Sequence, residues 1–308
     1  MSNGIVIREG IAKKEWQKRC KELKDALTEL FSFLTVSSLF IGGTGFFKTY
    51  VAYVLLGMEP NLKICFVGFL LTLSVYSLNK LTDQKEDAIN MPERLRFLKG
   101  RKRLVLSYSL TAYLLAILLM FLHTPLAVPI VLVPLASNII YSSKLLRGIP
   151  RFKDIPVMKN LFVAASWALC ATLFPLACTG NAAVTLVMIV FYFILTKSFI
   201  NTVLYDIRDE EGDRENKVRT IPVLLGSRKT ICLLLTMNST LLVGLLFTAS
   251  YMQPMALVIP LAMVFYGFAY IFYFRKRRNP LALDFFVDGE WMHACSLYIV
   301  LNGLGLLA

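Results

Sequence analysis

Histidine is nearly missing from this chain: there are two in 308 residues, His123 and His293. That argues against a histidine-based metal centre. The six cysteines, at 20, 65, 170, 178, 232 and 295, lie scattered and mostly within apolar runs, with no Cys-x-x-Cys pair. Neither a zinc site nor a disulfide framework is indicated. The first 26 residues are charged and lack an apolar core segment, so no secretory leader is expected. Charge is also missing from alternate connections. Those at Met58–Asn61, His123–Pro125, Thr179–Asn181 and Met252–Pro254 are short and almost uncharged, with room only for turns.

Long apolar runs are abundant. The chain is 56% hydrophobic. Runs of the length a bilayer demands, about 20 residues, fall at 28–57, 62–79, 104–122, 125–142, 160–178, 182–203, 231–250, 254–274 and 291–307. Backbone polar groups in lipid must be satisfied within the segment, so nine helices are expected. The first run is long, with a break expected near Gly42, Gly43 and Gly45. All but Lys48 and Lys63 of the 33 basic residues lie before the first run, at the inner end of the sixth, or in the connections 2–3, 4–5, 6–7 and 8–9. Basic residues mark the cytoplasmic side. The expected topology is a multi-pass cell-membrane protein with its N-terminus inside and its C-terminus outside. The net charge of +13 then reflects topology and anionic inner-leaflet lipid, and nucleic-acid binding is not needed to explain it. Residues 1–27, including EWQKRCKELKDALTELF, read as an amphipathic helix on the inner surface. Residues 28–308 form one domain.

Two of the inner connections carry acids at helical spacing. In NKLTDQKEDAINMPER, Asn79, Asp83 and Asp87 are spaced i, i+4, i+8. A helix continuing past the bilayer edge would stack all three on one face. In YDIRDEEGDRENKVRTIP, Asp209 and Asp213 repeat the spacing, with Asp206 one turn earlier. Shifted by about 126 positions, Asp83, Asp87 and Asn90 fall on Asp209, Asp213 and Asn216. That suggests two related four-helix units, plus a final helix, facing each other across a cavity. Carboxylates and an amide on opposed helix ends suit hard divalent cations. Mg²⁺ takes one or two carboxylates, waters and substrate phosphate oxygens, so a diphosphate could be held through metal. The bland alternative, a solvated acidic patch, accounts for one cluster more easily than for two matched ones.

These residues resemble the UbiA superfamily of intramembrane prenyltransferases. Its first motif, N-x-x-x-D-x-x-x-D followed by N-x-P-x-R, is matched by Asn79, Asp83, Asp87, Asn90, Pro92 and Arg94. Its second, D-x-x-D-x-x-G-D followed by a basic residue and T-[LI]-P, is matched by Asp206, Asp209, Gly212, Asp213, Arg219, Thr220, Ile221 and Pro222. The resemblance implies an all-α polytopic fold of about nine helices around a central cavity open to the bilayer. It implies Mg²⁺-dependent transfer of an isoprenyl group from a prenyl diphosphate to an aromatic or lipid acceptor. Asn79, Asp83, Asp87, Asp206, Asp209 and Asp213 carry over as metal and diphosphate ligands. Arg94 would contact the diphosphate, and Arg219 would bind substrate beside it. The family often has a Tyr with a Lys four residues later; here Lys144 follows Tyr141 by three. Lys144 takes that role from a shifted register, or Arg147 or Lys159 replaces it.

Ionisation of a prenyl diphosphate gives an allylic cation, which aromatic faces can stabilise. Tyr76, Tyr141, Tyr192, Phe193 and Tyr205 are candidates, although most such aromatics only pack or face lipid. Lys197, Asn201 and Tyr205 form a polar stripe at i, i+4, i+8 that leads to the second acid cluster. Intramembrane charges usually face a cavity, so the stripe is expected to face it, with Lys197 and Asn201 binding diphosphate or acceptor. The competing reading is Lys197 snorkelling to the interface. Lys48 has no functional reading, and His123 sits in an outer turn. Asp284, Asp288 and Glu290 are expected outside the site, balancing Arg275–Arg278. Other classes fit less well. A CDP-alcohol phosphotransferase would carry D-G-x-x-A-R, which is absent. A transporter would concentrate polar groups near the midplane. A digeranylgeranylglyceryl phosphate synthase-type ether-lipid enzyme and a quinone-pathway enzyme are not separated by these residues.

Overall fold

The computed structural model describes residues 2–82, 84–142, 155–180, 182–215, 218–248 and 254–305. Among them there is helix and no strand. The main helices are α1 (Ser2–Val36), α2 (Leu39–Leu55), α3 (Leu62–Thr82), α4 (Gln84–Asn90), α5 (Pro92–Leu98), α6 (Lys102–His123), α7 (Val128–Ser142), α8 (Met158–Thr179) and α9 (Val184–Glu215). They continue with α10 (Ile221–Leu225), α11 (Ser227–Thr248), α12 (Pro254–Phe274), α13 (Pro280–Leu283) and, after a wide turn over Asp284–Asp288, α14 (Glu290–Gly303).

Each expected apolar run is occupied by a helix. Among the described residues α2, α3, α6, α7, α8, α9, α11, α12 and α14 pack each on the next, and α14 returns onto α2 to close the ring. Helix α2 also touches α8 across the ring. Small residues make the inner seams. A methyl group on Gly45 of α2 would lie 2.5 Å from the Gly68 carbonyl oxygen of α3, so only glycine permits that approach. On α6 the buried face carries Ser109, Ala112 and Ala116, while Leu110, Leu114 and Leu118 point outward. That inversion of the soluble pattern is what a lipid-facing helix requires.

Among the described residues the count of nine crossings is not reached by length alone. Helices α3, α6, α8, α9, α11 and α12 are long and apolar enough to cross a bilayer, and the pair Glu15–Val36 and Leu39–Leu55 adds a seventh if taken as one span. Helices α7 and α14 have 15 and 14 residues, shorter than the roughly 20 a full crossing needs. The break in the first run also lies elsewhere than expected. The glycines stay helical, and the chain bends by 71° between Val36 and Leu39. Ser38 adopts a left-handed φ of 67°, and the carbonyls freed there are met by Lys80. Its ammonium donates to Thr35 O, Val36 O and Ser38 Oγ at 3.1, 2.7 and 2.6 Å. The end of α3, where the first acid motif begins, is thereby pinned to the bend.

Candidate functional site

The helix ends bring the two acid clusters to one rim. Short helix α4 packs on α9, and Asp87 lies within electrostatic reach of Arg208 in the second cluster. Asp87 is buried and accepts one hydrogen bond, from Arg94 Nη1 at 3.1 Å. Burial raises its affinity for a proton while Arg94 opposes that shift. Asp206 is held by Lys159 Nζ at 2.9 Å and Asn160 Nδ2 at 2.8 Å, both from the first turn of α8. Asp209 takes a two-pronged contact from Arg208, Nε and Nη2 each at 2.7 Å. The same guanidinium covers the Tyr205 ring at 4.8 Å.

The pairing is incomplete in a chemically specific way. Among the described residues, Asp87 Oδ2, Asp213 Oδ2 and Arg208 Nη1 are buried without a hydrogen-bond partner. A buried group of this kind is costly to leave unmet. Two open carboxylate oxygens and one open guanidinium nitrogen, on facing segments, fit a hard cation and the anion it carries. Among the described residues no three acids converge as a ready-made cage. That agrees with a metal held by few carboxylates and completed by water and phosphate oxygens.

Beneath the rim lies a cavity with about 30 Å³ of room for the centre of a water-sized sphere. It is lined by Thr44 and Lys48 of α2, Tyr76 of α3, Trp167 of α8, Asn201 of α9 and Asp288. It runs in register with the motifs. Tyr76 is three residues before Asn79, and Asn201 is five before Asp206. Tyr76 stacks on Trp167 with ring centroids 5.8 Å apart and lies within electrostatic reach of both Arg94 and Asp288.

The sequence-derived candidates divide accordingly. Asp87, Arg94, Asp206, Asp209 and Asp213 meet at the rim, and Asn79 is half-buried at the end of α3. Arg219 is exposed. Asp83, Lys144 and Arg147 lie outside the described residues, as does the side chain of Tyr141. Lys159, one of the alternatives to Lys144, is the lysine found against Asp206. Tyr76 lines the cavity, whereas Tyr192 and Phe193 line a separate apolar cleft with Leu241 and Leu245.

The polar stripe on α9 corrects two expectations. Lys197 does not line the cavity. Its side chain is wholly buried, with Nζ 2.5 Å from Glu290 Oε1 and donating to Met263 O and Tyr270 Oη, each at 3.0 Å. Gly267 leaves it room, since a methyl group there would sit 2.7 Å from Nζ. Asp284, Asp288 and Glu290 do not balance the basic run 275–278. Arg278 pairs with Glu210 and Glu211, and the three acids face the stripe. Asn201 Nδ2 donates to Asp288 Oδ1 at 2.8 Å, and Tyr205 Oη lies 2.6 Å from Asp288 Oδ2 and 2.7 Å from Asp284 Oδ1. One hydroxyl proton serves two carboxylates, and burial with the neighbouring Asp284 pushes Asp288 above the ordinary carboxylate range.

Lys197→Ala is therefore expected to act on stability. It strands Glu290 inside the bundle, at about 3–5 kcal/mol. Lys197→Met with Glu290→Gln should recover most of that. Thermal unfolding in detergent checks both, and a single variant as stable as the unaltered protein would refute the pairing.

Arg208, Asn160, Asp288 and Lys48 were not singled out as site residues from sequence. Asn160 had a usable signal, a Lys-Asn pair at the inner end of an apolar run. Arg208 lay unremarked inside the second motif.

Comparison with known proteins agrees with the geometry. The model of the UbiA prenyltransferase family matches residues 30–292. The digeranylgeranylglyceryl phosphate synthase of Natronomonas pharaonis is 26% identical over 192 residues, covering 62% of this chain and 66% of that one. The enzyme of the same name from Sulfolobus acidocaldarius is 30% identical over 158 residues, covering 50% and 54%. The chain thus spans between half and two thirds of these relatives' length. A UbiA homologue from Archaeoglobus fulgidus, solved with GPP and Mg²⁺, superposes with a TM-score of 0.61 at 17% identity, over 87% of this chain and 99% of that one. The apo structure of a UbiA homologue from Aeropyrum pernix K1 gives 0.63 at 13% identity, over 85% and 98%. The chain belongs to the UbiA prenyltransferase family, as an all-helical, multi-pass membrane protein.

Proposed function

We propose that this protein transfers an isoprenyl group from a prenyl diphosphate to an acceptor, with Mg²⁺, releasing pyrophosphate. The observation that carries the reading is the rim itself. Two acid clusters face each other, each with one buried carboxylate oxygen left open, Asp87 Oδ2 and Asp213 Oδ2. Arg94, Lys159 and Arg208 stand beside the acids. Asn79, Asp83, Asp87, Asp206, Asp209 and Asp213 would hold the metal. When bound, Mg²⁺ supplies positive charge that makes diphosphate a better leaving group. Arg208, with one guanidinium nitrogen unspent, would donate to the diphosphate as charge accumulates on it. Arg94, Lys159 and Arg208 would keep the acids in place between turnovers and neutralise the departing anion. Tyr76, stacked on Trp167 in the cavity, would offer its face to the allylic cation.

The relatives' names favour a glycerol-phosphate-type lipid acceptor; an aromatic ring is the second reading. The basic residues favour a cytoplasmic rim, with residues 1–27 on the inner surface.

Purified protein in detergent, given geranylgeranyl diphosphate, Mg²⁺ and a panel of glycerol-phosphate and aromatic acceptors, is expected to release pyrophosphate and form a prenylated lipid. Chelation of Mg²⁺ should abolish both, as should Asp83→Ala. Mass spectrometry of the lipid extract identifies the acceptor. Protein with neither Mg²⁺-dependent diphosphate binding nor pyrophosphate release would refute the reading.

A further inference from the structure

Between α13 and α14 the chain turns more widely than an α-helix. Gly289 N donates to Asp284 O, five residues back, at 3.1 Å, and the wide turn covers Asp284–Asp288. A methyl group on Gly289 would overlap the Phe285 carbonyl oxygen, so glycine is what lets the turn form. Turns of this kind are frequent at functional sites. This one sorts its side chains. Phe285 and Phe286 are exposed, while Asp284 and Val287 are buried. Thr44 Oγ1 of α2 donates to the Asp288 carbonyl at 3.0 Å and ties the turn to the bundle.

The turn brings both of its acids to the Tyr205 hydroxyl of α9. A hydroxyl has one proton to give, so Asp284 and Asp288, at 2.7 and 2.6 Å, hold it from two sides. Asp288 has a second donor, Asn201 Nδ2. Asp284 forms no ion pair within 4 Å among the described residues, yet it lies within electrostatic reach of Lys80 and Arg208. Lys80 spends its donors on the bend between α1 and α2. Arg208 keeps one donor unmet among the described residues. Tyr205, Arg208 and Asp209 stand at i, i+3 and i+4 on α9, close neighbours on a helix surface. Asp209 grips one edge of the guanidinium, and the Tyr205 ring covers its face at 4.8 Å. An edge grip alone lets the guanidinium plane swing about that edge. A ring against the face removes that freedom. Asp209 is also an expected metal ligand, so its grip changes when the site fills. The hold of the ring competes for no ligand.

We propose that Tyr205 is a positioning residue for the diphosphate: Asp284 and Asp288 fix its hydroxyl, and its ring holds the Arg208 guanidinium so that Nη1 stays free for a phosphate oxygen. The inference rests on the prenyltransferase reading and concerns the first substrate only. It gives the wide turn a task, since the turn anchors from α13 and α14 a group that acts on α9.

Calorimetry on the full-length protein in detergent tests this without turnover. The probe is the thiolo analogue of geranylgeranyl diphosphate, in which sulfur replaces the C1 oxygen, with and without Mg²⁺. Tyr205→Leu, which removes the ring, is expected to weaken binding about tenfold. Tyr205→Phe keeps the ring but loses its anchor, and Asp284→Ala loses half of the anchor. Each should weaken binding about threefold. In an Arg208→Met background the same three changes should weaken it less than about twofold further, because the contact they serve is already gone. A residue that only supports the fold would lower the unfolding midpoint and leave affinity alone. A folded Tyr205→Leu, Tyr205→Phe or Asp284→Ala protein with unaltered affinity therefore overturns the proposal. Equal losses in both backgrounds overturn it too, since Tyr205 would then act without Arg208. If Tyr205→Leu does not fold, the two milder variants decide in the same way. Failure of the unaltered protein to bind the analogue with Mg²⁺ is a separate result and counts against the prenyltransferase reading instead.

Discussion

Asp213→Asn is expected to lose activity without losing stability. Asp213 is buried and, among the described residues, its Oδ2 has no hydrogen-bond partner. Holding a carboxylate in that state costs folding energy, and the neutral amide removes part of the cost. The unfolding midpoint should therefore stay level or rise. Activity should fall about 10²–10³-fold, the usual consequence of deleting one group that stabilises developing charge. The same asymmetry is common where binding sites are bought with stability. Asp206→Asn should behave differently. Asp206 already accepts from Lys159 and Asn160, so its loss disturbs a satisfied buried cluster as well as the rim. Pyrophosphate release and thermal unfolding, measured side by side on the two variants, check this contrast. An Asp213→Asn protein with normal turnover would remove that residue from the metal site.

Arg208→Met is expected to weaken Mg²⁺-dependent prenyl diphosphate binding about 10²-fold, with little effect on the acceptor KM. The guanidinium spends two nitrogens on Asp209 and, among the described residues, leaves Nη1 buried without a partner. A planar fork that grips a carboxylate on one edge can offer its remaining donor to a phosphate oxygen. Arg208→Lys keeps the charge but not the fork, so it should fall between the two. Binding of a non-hydrolysable diphosphate analogue, with and without Mg²⁺, is the measurement. If Arg208→Met binds the analogue normally, Arg208 merely positions Asp209.

The acid motifs were legible because their chemistry is local. Four-residue spacing puts Asp213 one turn from Asp209 on α9 with no knowledge of the rest of the chain, while Asp83 lies outside the described residues. The apolar runs were equally legible, since a bilayer sets their length and each helix satisfies its own backbone. Their exact crossing was not. The first run bends at Ser38 because Lys80, 42 positions away, supplies the donors that a broken helix needs. Of the glycines expected to break it, Gly42 and Gly45 serve a seam with α3 instead, and Gly43 faces Met292 of α14.

What sequence by itself determined was the membrane class, the alternation of charged and uncharged connections, and the helical spacing of the acids. Each follows from composition, length or a period of 3.6. Only the tertiary structure decided which charges within the bundle are paired with an acid and which face a cavity. Lys48 and Lys197 look alike in the sequence, single lysines in apolar runs. Glu290 comes from α14 to neutralise Lys197, while Lys48 faces a cavity walled by α2, α3, α8 and α9. Those partners are distant in the chain and meet only when the ring of helices closes. Inside a low-dielectric bundle, it is that meeting which decides whether a lysine is tied to an acid or left facing a cavity.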